Sequence, residues 1–321
     1  MPRRPRIVVP VSLLVLGLRV CIAVAHAQEP VAVSPSGAPP SAADQAAEPR
    51  NDAKLTPTHA TARAAERTSA AKLTPIVVSP HHARTTAFQL YVEIDIPVLA
   101  TSAILASARL LRTTPPACQK VGDHCDPAEL NAFDRQFAGT WRPGWGTYSD
   151  LGLAGLMVGA GTLMLVDEGP WSALNDAVVV AESALVATAL PSMTTLATSR
   201  PRPYTYGSEA PLSTRTTGAA GLSFISSHTS ISFAIATSMF FVAKRLHPGS
   251  ALPWIVLGTG LALAASVAAA RVLAGQHFPT DVLSGAVIGA SVGTVVSSAH
   301  RLPVQVTPTA GGAQLSLTRT F

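Results

Sequence analysis

The sequence predicts an all-α protein, a six-helix bundle with a short C-terminal β-hairpin. Three observations predict it. The 321 residues are 48% hydrophobic and only 13% charged, oilier than an ordinary soluble domain. Six apolar segments of helical length follow one another, at 87–112, 149–166, 173–198, 228–246, 252–274 and 279–300. The polar residues with chemical potential gather between those segments rather than along them.

The length allows one large domain or two small ones. The formal net charge of +5 comes mostly from Arg3, Arg4, Arg6 and Arg19, in a stretch (1–27) that holds no acid. The remainder is close to neutral, and no basic stripe is interleaved with aromatics, so the sequence excludes a nucleic-acid partner. Residues 1–27 read as a signal peptide: a basic start, an apolar run Ile7–Leu18, and the small-residue site Ala25-His26-Ala27. Cys21 falls within it. Residues 28–84, rich in Ala, Pro, Ser and Thr, read as a disordered linker. An exported chain favours a disulfide between Cys118 and Cys125, which share the long loop after the first apolar segment.

The helical domain is expected at 85–301. Trp141-Arg142-Pro143-Gly144-Trp145-Gly146 reads as a turn, with Ser149 and Asp150 as the N-cap of the second helix. A second long loop, 200–226, separates the third and fourth helices. His247-Pro248-Gly249 closes the fourth. The tail, 302–321, alternates Val304/Val306 and Leu315/Leu317 around Gly311-Gly312, which predicts the hairpin.

Three segments carry chemistry. Ala270–Ala286 places Arg271, His277 and Asp281 in an apolar context. Pro279 suits the first turn of a helix, and the four-residue spacing lets His277 and Asp281 meet on one face. An imidazole held by a carboxylate is a nucleophile or base, and Arg271 offers a planar cation suited to phosphate. Thr195–Tyr206 brings Arg200 and Arg202 close together in a Pro-fixed turn, where an anion between them would relieve their repulsion. Ser223–Ser230 opens the fourth helix with Ser226, Ser227 and His228, so free amides and hydroxyls can meet an anion, and His228 can protonate a leaving oxygen. In an up-and-down bundle the three segments fall at one end, forming a phosphate pocket with a nucleophile, a carboxylate and an acid.

These segments resemble the type 2 phosphatidic acid phosphatases, which share a fold with bacterial acid phosphatases and vanadium haloperoxidases. The pattern R-x5-H-x3-D is met by Arg271, His277 and Asp281, with Gly285 also fitting. P-S-G-H appears as Ile225-Ser226-Ser227-His228. K-x6-R-P keeps Arg202-Pro203 but has Thr195 in place of Lys. The resemblance spans about residues 85–300. It implies a bundle of that type, with His277 attacking phosphorus to form a phosphohistidine and Asp281 orienting it. His228 would protonate the leaving group and then activate water. Arg202, Arg271, Ser226 and Ser227 would hold the phosphoryl oxygens, with no metal or other cofactor. Arg200 is the expected substitute for the missing Lys.

The expected activity is therefore a phosphomonoesterase acting on lipid phosphates, lipid pyrophosphates or small phosphate esters. Two alternatives stand beside it. One is a haloperoxidase, with vanadate held by His277. The other is a lapsed envelope scaffold. Membrane association is expected, since 251–270 is uncharged and long enough to span a bilayer. Glu93, Asp95, Asp176 and Glu182 lie in other apolar segments and are costly in lipid. Together with the signal and the cysteine pair, they tilt the expectation from an inner-membrane protein toward a periplasmic bundle lying on the membrane.

Overall fold

A computed structural model describes residues 86–300 and, beyond them, the strand residues Val304–Thr309 and Gly312–Leu317. The signal peptide and linker expected over 1–84 lie outside the described residues. Six long helices run in order: α1 Val92–Ser107, α2 Pro143–Glu168, α3 Pro170–Thr198, α4 Ser227–Leu246, α5 Leu252–Leu273 and α6 Pro279–Ala299. Proline in the first turn starts α2, α3, α5 and α6, where its missing N–H costs no hydrogen bond. The second helix begins earlier than its sequence signals imply. Pro143 opens it, so Ser149 and Asp150 lie inside the helix rather than at its cap. The Ser149 hydroxyl donates back to the Gly146 carbonyl at 2.7 Å.

α4 is the central element, packed against α2, α3, α5 and α6. It is buried along most of its length and rich in Ser and Thr. The other five helices are each long and apolar enough to cross a membrane. Small residues let α6 lie close to α4. A Cβ at Gly285 would stand 2.7 Å from the Ser226 carbonyl, and Cβ atoms at Gly289 and Gly293 would strike the α4 backbone at Ser230 and Ala234. The Ser230 hydroxyl donates to the Gly285 carbonyl across this contact at 3.0 Å. The main apolar core, including Leu153, Val179, Ile231, Ile235 and Met239, joins α2, α3 and α4.

The acids that counted against a lipid setting are mostly interior. Asp95, Asp176 and Glu182 are all buried. Asp176 accepts hydrogen bonds from the Ala87 and Phe88 amides at 2.6 and 3.0 Å. Asp95 and Glu182 face His300 Nε2 at 3.1 and 3.4 Å, tying α1 and α3 to the end of α6. Glu93 alone of the four is exposed, in the first turn of α1.

The loop between α1 and α2 carries a two-stranded ribbon, β1 Lys120–Val121 with β2 His124–Cys125, closed by the Cys118–Cys125 disulfide. Arg215 from the second long loop binds Asp123 at the ribbon's turn, at 2.7 Å. The tail forms an antiparallel hairpin, β3 Val304–Thr309 with β4 Gly312–Leu317, pairing Val304 with Leu317 and Val306 with Leu315. This is the alternation expected from the sequence.

Candidate active site

The ends of α1, α3 and α5 and the starts of α2, α4 and α6 meet at one end of the bundle. The turn between α5 and α6 sets the geometry. Gly275 adopts φ +76°, and a Cβ there would collide with the Thr140 carbonyl, so only glycine passes at this point. The chain folds back so tightly that the amides of Gln276 and His277 both donate to the Arg271 carbonyl, at 3.1 and 3.3 Å. Arg271 and His277 are thereby bound into one unit, both almost completely buried.

His277 Nδ1 lies 2.7 Å from the Ser223 carbonyl, an acceptor only, so Nδ1 carries the proton and Nε2 keeps its lone pair. Nε2 is buried and meets no hydrogen-bond partner among the described residues. Burial drives the His277 pKa down to about 4, and the charges of Arg271 and Arg202 act in the same direction against its contacts with Asp281. The ring is therefore neutral at physiological pH.

Asp281 does not grip His277 as the four-residue spacing implied. Its carboxylate stands 3.8 Å from Nδ1. The reason is that His277 precedes the helix, in the turn before Phe278, so helical spacing does not apply to the pair. Asp281 instead accepts the Phe278 amide at 2.8 Å, the Ser223 hydroxyl at 2.5 Å and Arg200 at 2.6 Å. It holds the residues that flank the imidazole, including the one whose carbonyl fixes its tautomer.

The side chain of Arg200 is taken up by carboxylates. Its guanidinium bridges Asp281 and Asp134, 2.7 Å from the latter, and stacks over Phe278 with 4.4 Å to the ring centroid. Asp134 also accepts the Thr280 hydroxyl at 2.7 Å, and its pKa is lowered, since Arg200, Thr280 and Asn131 outweigh the upward push of burial. Ser226 is the N-cap of α4, its oxygen accepting from the Thr229 hydroxyl at 3.0 Å. Ser227 begins the helix, and its hydroxyl accepts Arg109 at 2.7 Å. Arg202 is fully buried and donates to Gln276.

His228 Nε2 pairs with Asp150 Oδ1 at 2.7 Å. Asp150 also lies 3.8 Å from Arg271, whose guanidinium reaches Ser149 at 3.3 Å. Arg109, Asp134, Asp150 and Ser223 were not singled out as site residues by sequence reasoning. Their signal is faint: three ionisable side chains and a serine at the ends of apolar segments or in loops, with no local motif to connect them. Among the described residues the group with metal-ligand composition is Asp95, Glu182 and His300, on α1, α3 and the end of α6. It lies apart from this site.

The fold and site define a helical bundle with a buried cluster of histidines and arginines at one end. Residues 176–303 match the model of the PAP2 superfamily. The first transmembrane PAP2 type phosphatidylglycerolphosphate phosphatase from Bacillus subtilis, known from a crystal structure, is 21% identical. That match covers 64% of this chain and 96% of the other, with a TM-score of 0.39. No curated protein matches the chain.

Proposed function

We propose that this chain is a phosphomonoesterase, hydrolysing lipid phosphates, lipid pyrophosphates or small phosphate esters through a phosphohistidine on His277. The observation that carries the reading is the state of His277: a neutral imidazole, its Nδ1 proton committed to the Ser223 carbonyl, its Nε2 lone pair without a hydrogen-bond partner among the described residues and near buried arginines. Nucleophilic catalysis needs such a lone pair, aimed and unprotonated.

In the proposed reaction His277 Nε2 attacks phosphorus as the bond to the leaving oxygen breaks. Arg202 and Arg271 hold the equatorial oxygens, where charge gathers in the transition state, together with the Ser227 hydroxyl. The leaving oxygen takes a proton from the imidazolium form of His228, which the Asp150 carboxylate favours against burial and the charge of Arg271. The same pair, now a base, removes a proton from water, which attacks the phosphohistidine. The P–N bond breaks and inorganic phosphate is released with His277 restored. No step passes through a metal or other cofactor. Asp281 and Arg200 act as positioning residues through Ser223 and Phe278.

We place the bundle in a lipid bilayer in the cell envelope, because its outer helices turn apolar side chains outward. Ile104 is 71% exposed, Leu111 83%, Val166 75% and Val287 68%. Trp145 and Tyr148 form an exposed edge-to-face pair, ring centroids 5.6 Å apart, near the site end of α2, a place where interfacial aromatics are expected.

The test is phosphate release by purified protein from lipid phosphates, a lipid pyrophosphate and an aryl phosphate, beside His277→Ala. Turnover that vanishes in the variant, with vanadate as an inhibitor, is the expected result. No release from any ester, with or without detergent, overturns the proposal. Halide oxidation on loading with vanadate would move the assignment to a haloperoxidase.

A further inference from the structure

We infer that Arg109, at the end of the first helix, is a phosphate-binding residue of this pocket and supplies from α1 the cation that the sequence lacks at Thr195. The inference rests on the phosphatase reading above for its substrate, but its geometry stands separately.

Thr195 cannot serve. It is buried in α3, and its hydroxyl is spent on the Ser192 carbonyl of its own helix at 2.9 Å. Arg200, the nearest cation in sequence, is held between the carboxylates of Asp134 and Asp281. Arg109 is 3% exposed, and its Nη1 donates to the Ser227 hydroxyl at 2.7 Å, next to His228. It lies near enough to Arg202 and Arg271 for their positive charges to act on its own. Three guanidiniums gathered beside the Ser227 hydroxyl suit the oxygens of a phosphate dianion.

The end of α1 is also built to hold this side chain in place. The Ser192 hydroxyl bonds the Ala106 carbonyl at 3.2 Å. Arg112 donates to Ser199 at the end of α3. Gly218 has no side chain where the Arg112 carbonyl passes, and a Cβ there would collide with it. The short helical turn Ala108–Leu111 that carries Arg109 is thus clamped on both sides.

The test compares wild type, Arg109→Ala, Arg109→Lys and Ser227→Ala, reading kcat and KM, vanadate inhibition, and thermal stabilisation by inorganic phosphate and by vanadate. Arg109→Ala is expected to weaken vanadate and phosphate binding by about tenfold to a hundredfold, the worth of one charge-assisted hydrogen bond. Arg109→Lys should recover most of that loss, because a cation remains. Ser227→Ala should cost less than Arg109→Ala. Anion binding unchanged in Arg109→Ala, or a loss fully reproduced by Ser227→Ala and not rescued by Lys, overturns the inference. If wild type turns over no ester but is stabilised by phosphate, the phosphatase reading fails while the Arg109 comparison still decides. If wild type binds neither anion, both fail.

Discussion

At His277 several forces act on one proton. Burial strips water from the charged ring and Arg271 and Arg202 repel it, while its contacts with Asp281 favour it; burial and the arginines prevail, and the pKa falls to about 4. The ordinary value is about 6.5. A histidine lowered by folding stabilises the native state in its neutral form. That contribution is complete above about pH 6.5, and it is lost as pH falls through the folded value near 4. Thermal unfolding of ligand-free protein should therefore show a melting temperature that drops between pH 7 and pH 4. In His277→Gln the slope should be shallower, because one group that binds a proton on unfolding is gone. Equal slopes in the two proteins would mean that the ring is not held neutral by the fold. The motif residues Arg271, His277 and Asp281 were legible in the sequence because eleven consecutive residues contain them all. Asp150 and Arg109 were not, since their partners His228 and Ser227 are distant in the chain and the pairing exists only once α1, α2 and α4 converge. The orientation of Arg200 was equally hidden. Asp134, which helps hold it, comes from a loop without a recognisable pattern.

Between elements, the contact of α4 with α6 sets the distance from His228 on one helix to the His277 turn before the other. Gly285, Gly289 and Gly293 recur every four residues and present one face of α6 to the α4 backbone. Substituting Gly289 by Ala places a methyl against the Ser230 carbonyl and α-carbon, backbone atoms that cannot swing aside. The helices must separate or shift, at a cost of about 1–3 kcal/mol. Gly289→Ala should lower the melting temperature and reduce turnover, although Gly289 lies three turns from the site. Gly258, around which a Cβ meets nothing within 4 Å, is the control, and its Ala variant should keep both. A Gly289→Ala protein with wild-type stability and turnover would show that the helix spacing is not tightly set. The helices themselves were largely legible, because each is an apolar run bounded by Pro, Gly or a polar loop. The start of α2 was misjudged for a physical reason: Pro143 fits the first turn of a helix as well as it fits a turn, and only tertiary packing decides between them.

For the whole molecule the question is which solvent the outer surface is made for. Acids within apolar segments argue for water, but here three of the four are turned inward and paired or bonded to backbone amides. The large apolar residues left outside on α1, α2, α5 and α6 are Ile, Leu, Val, Trp and Tyr, spread along the helices instead of gathered in a small patch. In water such a surface would drive aggregation, whereas in hydrocarbon it costs nothing, and helical spans of 20 to 37 residues are long enough to cross a bilayer. The buried, Ser-rich α4 is shielded by its neighbours and needs no apolar face. Membrane preparations washed with high salt and then alkaline carbonate should retain the protein in the pellet, and detergent alone should release it. A protein lying on the membrane through a limited apolar face would be released by carbonate and would stay monodisperse without detergent. The two outcomes also bear on the substrate. Retention puts the rim formed by Leu110, Leu111, Trp145 and Tyr148 at the lipid headgroups, where a lipid phosphate can enter without leaving the bilayer. Release would favour a small soluble ester.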